Sequence, residues 1–239
     1  VVIPAYNEAD RLPPTLASIR GFLDGWGRTY EILVVDDGST DETAARAREA
    51  GGPTVTVIAN GRNRGKGHSV RRGMLAATGE LRLMCDADLS TPIGEFPRLL
   101  SWLDEGHDVA IGSRALPDSK VEVRQPLYRE SMGRLYNRLV RLLLLSGLHD
   151  TQCGFKLFTA SAARLSFAPA RLDGFSFDVE SLFIARRRGL KIAEVAVTWR
   201  NDAASRVGMG RGALAFFDLL RIRVNDLLGR YEASTPQGL

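Results

Sequence analysis

Cysteine is nearly missing from this chain. Cys85 and Cys153 are the only two in 239 residues, far apart and without metal-ligand spacing. A disulfide scaffold and a thiolate metal site are therefore excluded, and both side chains read as small buried hydrophobes in a reducing compartment. No stretch reaches the ~18 apolar residues that read as a membrane span, and no signal-peptide pattern is present. Aromatic residues make up only 8% and no basic stripe with stacking residues appears, which argues against a nucleic-acid binder. The Walker spacing G-x-x-x-x-G-K-[ST] and the G-x-G-x-x-G fingerprint are absent, so two common nucleotide-binding motifs are set aside. There is no repeat, no low-complexity segment and no clear linker.

What is there is ordinary in amount: 44% apolar and 25% charged residues, enough for one sizeable core. A single domain over 1–229 is expected, with 230–239 as a flexible tail. The chain opens inside an apolar run, VVIPAYNE, so further residues are expected upstream. The net charge of +4 points to an anionic partner: nucleic acid, an anionic membrane surface or a phosphorylated small molecule.

The first half alternates. Short apolar runs at 1–3, 31–35, 55–58, 81–84 and 108–111 read as strands, and 11–23, 40–50, 67–78 and 93–105 have helical spacing. The second half adds expected helices over 128–146, 177–188 and 212–229 and a strand over 192–199. The alternation predicts an α/β fold with a mainly parallel sheet flanked by helices. In such sheets ligands bind beyond the carboxyl ends of the strands. Polar clusters follow all five early strands: AYNEAD, DDGSTD, NRGKG, DADLSTP and GSR.

DADLSTP carries the clearest chemistry. Residues i and i+2 of an extended chain point the same way, so Asp86 and Asp88 converge. Two close carboxylates are costly unless a cation neutralises them, and Mg²⁺ or Mn²⁺ prefers such ligands. In NRGKG, two glycines before a helix favour a phosphate on backbone N–H groups, with Lys66 or Arg64 adding charge. In DDGSTD, Ser39 or Thr40 is expected to cap the next helix, and Asp37 is the freer carboxylate, able to accept from a nucleobase N–H. Asp178 and Glu180 in FDVE read either as a base or as carboxylates satisfying helix-start N–H groups.

The set VVIPAYNEAD, VVDDGSTD, NRGKG, DADLS and GSR, in this order and spacing, resembles the GT-A glycosyltransferases of family 2. DTQCGFKLF, FSFDVESLFIA and IAEVAVTWR resemble the polyprenyl-phosphate sugar synthases, most closely the dolichyl-phosphate β-glucosyltransferase branch. The resemblance implies a Rossmann-like GT-A fold. It implies that Pro4, Tyr6, Glu8 and Asp37 hold the nucleotide base and ribose, and that Asp86 and Asp88 hold a divalent metal on the donor diphosphate. Arg114 of GSR, Arg129 of LYRES and Arg206 of ASRVG would face an anionic acceptor. The mannosyl branch has a Gln two residues past the second Asp, where this chain has Ser90.

The implied activity is an inverting transfer of a hexosyl group from a nucleotide sugar, UDP-glucose first, to a polyprenyl phosphate. Asp88, Arg114 and Asp178 are its expected catalytic residues. A lipid phosphate is largely ionised at pH 7, so its oxygen needs cationic positioning more than a base. GDP-mannose, UDP-N-acetylhexosamine and a soluble or polysaccharide acceptor remain open, as does an inactive nucleotide-binding protein. The ending TPQGL has no apolar anchor, so peripheral contact with the cytoplasmic membrane face is expected, through 139–148 or through 214–228 with Phe216 and Phe217.

Overall fold

The computed structural model describes residues 1–123, 127–200 and 209–232. In its first half, strands β1 (Val2–Ala5), β2 (Ile32–Asp36), β3 (Val55–Ala59), β4 (Leu81–Cys85) and β5 (Val109–Ser113) alternate with helices α1 (Leu12–Asp24), α2 (Thr43–Gly51), α3 (Lys66–Ala76) and α4 (Phe96–Asp104). Then follow β6 (Lys120–Val123), α5 (Leu127–Leu143), β7 (Phe155–Thr159), α6 (Ala160–Phe167), α7 (Phe177–Arg187), β8 (Ile192–Ala196), β9 (Thr198–Arg200) and α8 (Met209–Leu227).

Seven strands form one sheet in the order β3-β2-β1-β4-β7-β5-β8. β7 alone runs antiparallel to its neighbours β4 and β5; the other pairs are parallel. Alternate residues feed two cores. Val2, Leu33, Val35 and Met84 pack with α3, α5, α6, α7 and α8. Ile3, Ile32, Val34, Leu83 and Cys85 pack with α1, α2 and α4 on the other face. Cys85 and Cys153 are buried, and burial pushes their thiols up to about 12 and about 11, so neither is a thiolate at neutral pH.

The apolar run over 192–199 divides between two sheets: β8 pairs with β5, and β9 pairs with β6. The packed chain also continues past 229. Tyr231 is buried and its hydroxyl donates to Glu180 Oε1 at 2.7 Å.

Candidate active site

The ends of β1, β2 and β4 open on a cleft of about 1250 Å³. Pro4, Tyr6, Glu8, Asp37, Lys66, Asp86 and Asp88 all line it. So do Arg171 and Ser176 from the α6–α7 connection, and Phe217, Asp218 and Arg221 from α8.

Asp86 and Asp88 sit on a fixed loop. The Asp86 N–H donates to Gly154 O at 3.1 Å, buried Thr15 donates its hydroxyl to Ala87 O at 2.7 Å, and Arg200 N–H donates to Ser90 O at 2.9 Å. Leu89 has φ +47, an unfavourable conformation for a branched residue, held by this surrounding structure. Gly154 is required here: a Cβ would lie 2.0 Å from Asp86 Oδ2. Ser90 N–H donates to Asp88 Oδ1 at 3.0 Å. Apart from the Lys66 ammonium at 2.7 Å, Asp86 Oδ1 has no donor among the described residues. Burial, and next the charge of Asp86, raise the pKa of Asp88; the Ser90 bonds and Lys66 only partly oppose this.

The two carboxylates therefore suit a hard divalent cation. No third His, Cys, Asp or Glu joins them in a metal-holding group among the described residues. That fits an ion taking one or two protein carboxylates and completing its shell with phosphate oxygens and water.

The remaining expected residues divide. Asp37 is buried and not the freer carboxylate. It accepts from Asn60 Nδ2 and from the Arg64 N–H on Oδ1, and from the Gly65 N–H on Oδ2, all at 2.9 Å. The Asp36 carboxylate accepts the Ser39 N–H, at 3.2 Å. Asp37 thus clamps the NRGKG loop. Asp173 O accepts the Gly67 N–H at 2.8 Å and the His68 N–H at 3.3 Å, so the donors of Gly65, Gly67 and His68 are occupied. Most of the N–H groups expected to cradle a phosphate are thus spent within the protein, and the loop lines the cleft with Asn63, Arg64, Gly65 and Lys66.

Glu8 forms a salt bridge with Arg11 at 2.6 Å, so the pair enters the cleft as one unit. Ser39 does not cap α2. Its hydroxyl accepts the Asn7 N–H at 2.9 Å, tying AYNEAD to DDGSTD.

Arg114 is the main correction. Its guanidinium is bidentate to buried Asp150, Nε at 2.6 Å and Nη2 at 2.9 Å, and lies 5.3 Å from the Trp199 ring centre. Burial pushes Asp150 up, but the adjacent Arg114 charge and its hydrogen bonds outweigh that and hold it below the usual range. Arg114 is not among the cleft-lining residues. Asp178 is buried, bonded to Lys156 Nζ at 2.5 Å, and also does not line the cleft, so it has no access as a base. Glu180 satisfies N–H groups: Oε2 accepts from Arg171 and Leu172, at 2.9 and 2.8 Å. The Arg129 side chain and all of Arg206 lie outside the described residues.

In their place the cleft presents Arg171 and Arg221, exposed and with no ion pair from either side chain among the described residues. Neither belongs to a motif. The Glu180 clamp holds the backbone at Arg171, and Ala215, Leu219 and Ile222 bury the inner face of α8 and so turn Arg221 outward.

The sequence pattern of the family described as Glycosyl transferase family 2 matches residues 1–166. The dolichyl-phosphate beta-glucosyltransferase of Drosophila melanogaster is 36% identical over 261 residues, covering 99% of this chain and 78% of that protein. Among solved structures, mannosyl-3-phosphoglycerate synthase from Rubrobacter xylanophilus matches with a TM-score of 0.73 at 21% identity, over 100% of this chain and 77% of that one. Glucosyl-3-phosphoglycerate synthase from Mycobacterium tuberculosis, in complex with Mn²⁺, UDP and glucosyl-3-phosphoglycerate, matches with a TM-score of 0.71 at 22% identity, over 100% of this chain and 81% of that one. At these identities the two structures show a shared GT-A fold.

Proposed function

The chain belongs to glycosyl transferase family 2 and is a glycosyltransferase, and from that premise we propose that it moves glucose from UDP-glucose to a polyprenyl phosphate of the dolichyl type. The observation that carries the reading is the Asp86/Asp88 pair on the cleft floor, beside Lys66, in a chain whose curated relative is a dolichyl-phosphate beta-glucosyltransferase over nearly its whole length.

In this reading Asp86 and Asp88 hold Mg²⁺ or Mn²⁺. When bound, the ion stabilises negative charge developing on the departing diphosphate. Pro4, Tyr6 and the Glu8–Arg11 unit line the nucleotide side, where Asp37 positions the loop bearing Lys66. The acceptor phosphate, with a second pKa of about 6, is ionised at neutral pH and attacks without a base. Arg171 and Arg221 supply the cationic positioning first expected of Arg114. A single displacement inverts the anomeric centre.

The test is transfer of labelled glucose from UDP-glucose to a polyprenyl phosphate, run beside GDP-mannose and UDP-N-acetylglucosamine. Transfer from UDP-glucose well above the other two is expected. Preference for GDP-mannose would move the chain to the mannosyl branch, and transfer only to soluble acceptors would overturn the lipid assignment.

A lipid acceptor keeps its tail in a bilayer, so the cleft must reach the headgroup plane. Among the described residues no helix is long and apolar enough to cross a membrane. The outer face of α8 offers peripheral contact instead. Phe217 is 70% exposed, and Leu220, Val224, Leu227 and Leu228 follow it at helical spacing, with Arg221 and Arg223 between. Phe216 is not part of that face; it packs edge-on against Tyr136 at 5.5 Å. Leu144, Leu145 and Leu148 of the other expected docking segment are core.

The helix is thus divided into a core face and an apolar outer face beside the cleft, the arrangement of an interfacial helix on the cytoplasmic side of a membrane. Phe217→Ser with Leu220→Ser is expected to lower co-sedimentation with anionic vesicles at unchanged melting temperature. Phe216→Ser should instead lower the melting temperature. Vesicle binding unaffected by the first pair would exclude this face.

A further inference from the structure

Two ion pairs, Lys66–Asp86 at the cleft with Asp88 beside it and Lys156–Asp178 in the core, act on each other electrostatically. Lys156 Nζ bonds Asp178 at 2.5 Å and Cys153 O at 2.5 Å. Lys66 Nζ lies 2.7 Å from Asp86 Oδ1. Burial disfavours the Lys66 ammonium, but the charges of Asp86, Asp178 and Asp88 outweigh that and raise its pKa. Three carboxylates face two ammonium groups, so the group is one positive charge short.

The Lys66–Asp86 contact is built on a fixed frame. Lys66 begins α3 between two glycines that admit no side chain. A Cβ on Gly65 would lie 2.2 Å from Asp173 O, and one on Gly67 would lie 2.5 Å from Leu172 O. Asp37 pins the N–H groups of Arg64 and Gly65. Across the contact, Asp86 is held by Gly154 on its backbone and has no room to retreat on that side. The ammonium therefore faces an oxygen of the carboxylate pair that would hold the metal.

We infer that Lys66 is a counter-cation of the metal site, competing with the divalent ion for Asp86 until a donor diphosphate draws its ammonium away. This rests on the metal and donor roles proposed above. It makes loading coupled. An ion arriving alone must displace Lys66, whereas an ion arriving with a diphosphate gives Lys66 an alternative anion. By linkage, nucleotide and metal then raise each other's affinity by the same factor. The arrangement disfavours an ion bound without substrate.

Mn²⁺ titrated into the whole protein, with free ion read by electron paramagnetic resonance, tests this with and without UDP. Lys66→Met is expected to bind Mn²⁺ about tenfold tighter than wild type without UDP, and to lose most of the UDP-induced tightening that wild type shows, typically 5–150-fold for such couplings. Lys66→Arg, which keeps the charge, should restore weak binding in the absence of UDP. Equal or weaker Mn²⁺ binding by a folded Lys66→Met protein without UDP would overturn the inference while leaving the metal site standing. Absence of Mn²⁺ binding by every variant, even with UDP, would overturn both this inference and the metal role itself.

Discussion

Asp86→Ala and Asp88→Ala are each expected to lower glucosyl transfer by roughly 10³-fold or more, about 4 kcal/mol of transition-state stabilisation, while Asp88→Ala leaves the melting temperature level or raises it. Asp86 is partnered by Lys66 at 2.7 Å, whereas the pKa of Asp88 is raised by burial and by the charge of Asp86, a cost the fold bears for function. The sign for Asp88 follows from its raised folded pKa. A raised carboxyl favours the folded state below its usual pKa, and that contribution is lost as pH rises through the folded value, so at neutral pH the charged Asp88 is a net burden. Removing it relieves the repulsion. EDTA should inhibit the wild type, with Mg²⁺ or Mn²⁺ restoring turnover. Full activity in EDTA, or full activity of either variant, would refute the metal role.

The parts of the site that follow strands were legible in the sequence, because a carboxylate at the end of an apolar run is costly and so draws notice. Asp86, Asp88, Lys66, Tyr6 and Glu8, all in segments that follow strands, line the cleft. The parallel half of the sheet was equally legible from its alternation. The rest depended on contacts at long range. β7 between β4 and β5 carries no periodic mark of its antiparallel direction. The run over 192–199 gives no sign of dividing, because both halves are apolar and the change of sheet is made by pairing.

Asp37 and Asp36 are adjacent in sequence, and only the path of residues 60–65 decides which one is occupied. Arg171 and Arg221 stand outside the motifs, on a connection and a helix. The Glu180 clamp and the packing of Leu219 and Ile222 bring them to the cleft, and neither is visible as spacing.

Arg114→Ala is expected to damage stability far more than it damages acceptor recognition. The residue looks like an anion ligand in sequence, standing after β5 in GSR. In the fold its fork is spent on Asp150, which is buried and also accepts the Arg114 backbone N–H at 3.0 Å. Truncating one partner of a buried pair leaves the other charge uncompensated, at a cost of about 3–5 kcal/mol. For a chain of this length that lowers the melting temperature by roughly 10 °C. Loss of the cation beside Asp150 also removes what holds its pKa down, so the wild-type stability from this pair is present above the usual carboxylate range and is lost as pH falls through the depressed value.

Arg171→Ala and Arg221→Ala should behave in the opposite way. Both side chains are exposed and form no ion pair among the described residues, so the melting temperature should hold. Each loses a charge-assisted contact worth about 1.5–3 kcal/mol, roughly tenfold or more in KM for polyprenyl phosphate, with UDP affinity little changed. Thermal melts and acceptor kinetics on the three variants separate the roles. An Arg114→Ala protein that melts like wild type yet loses acceptor affinity, beside Arg171 and Arg221 variants with normal kinetics, would return the anion site to the end of β5.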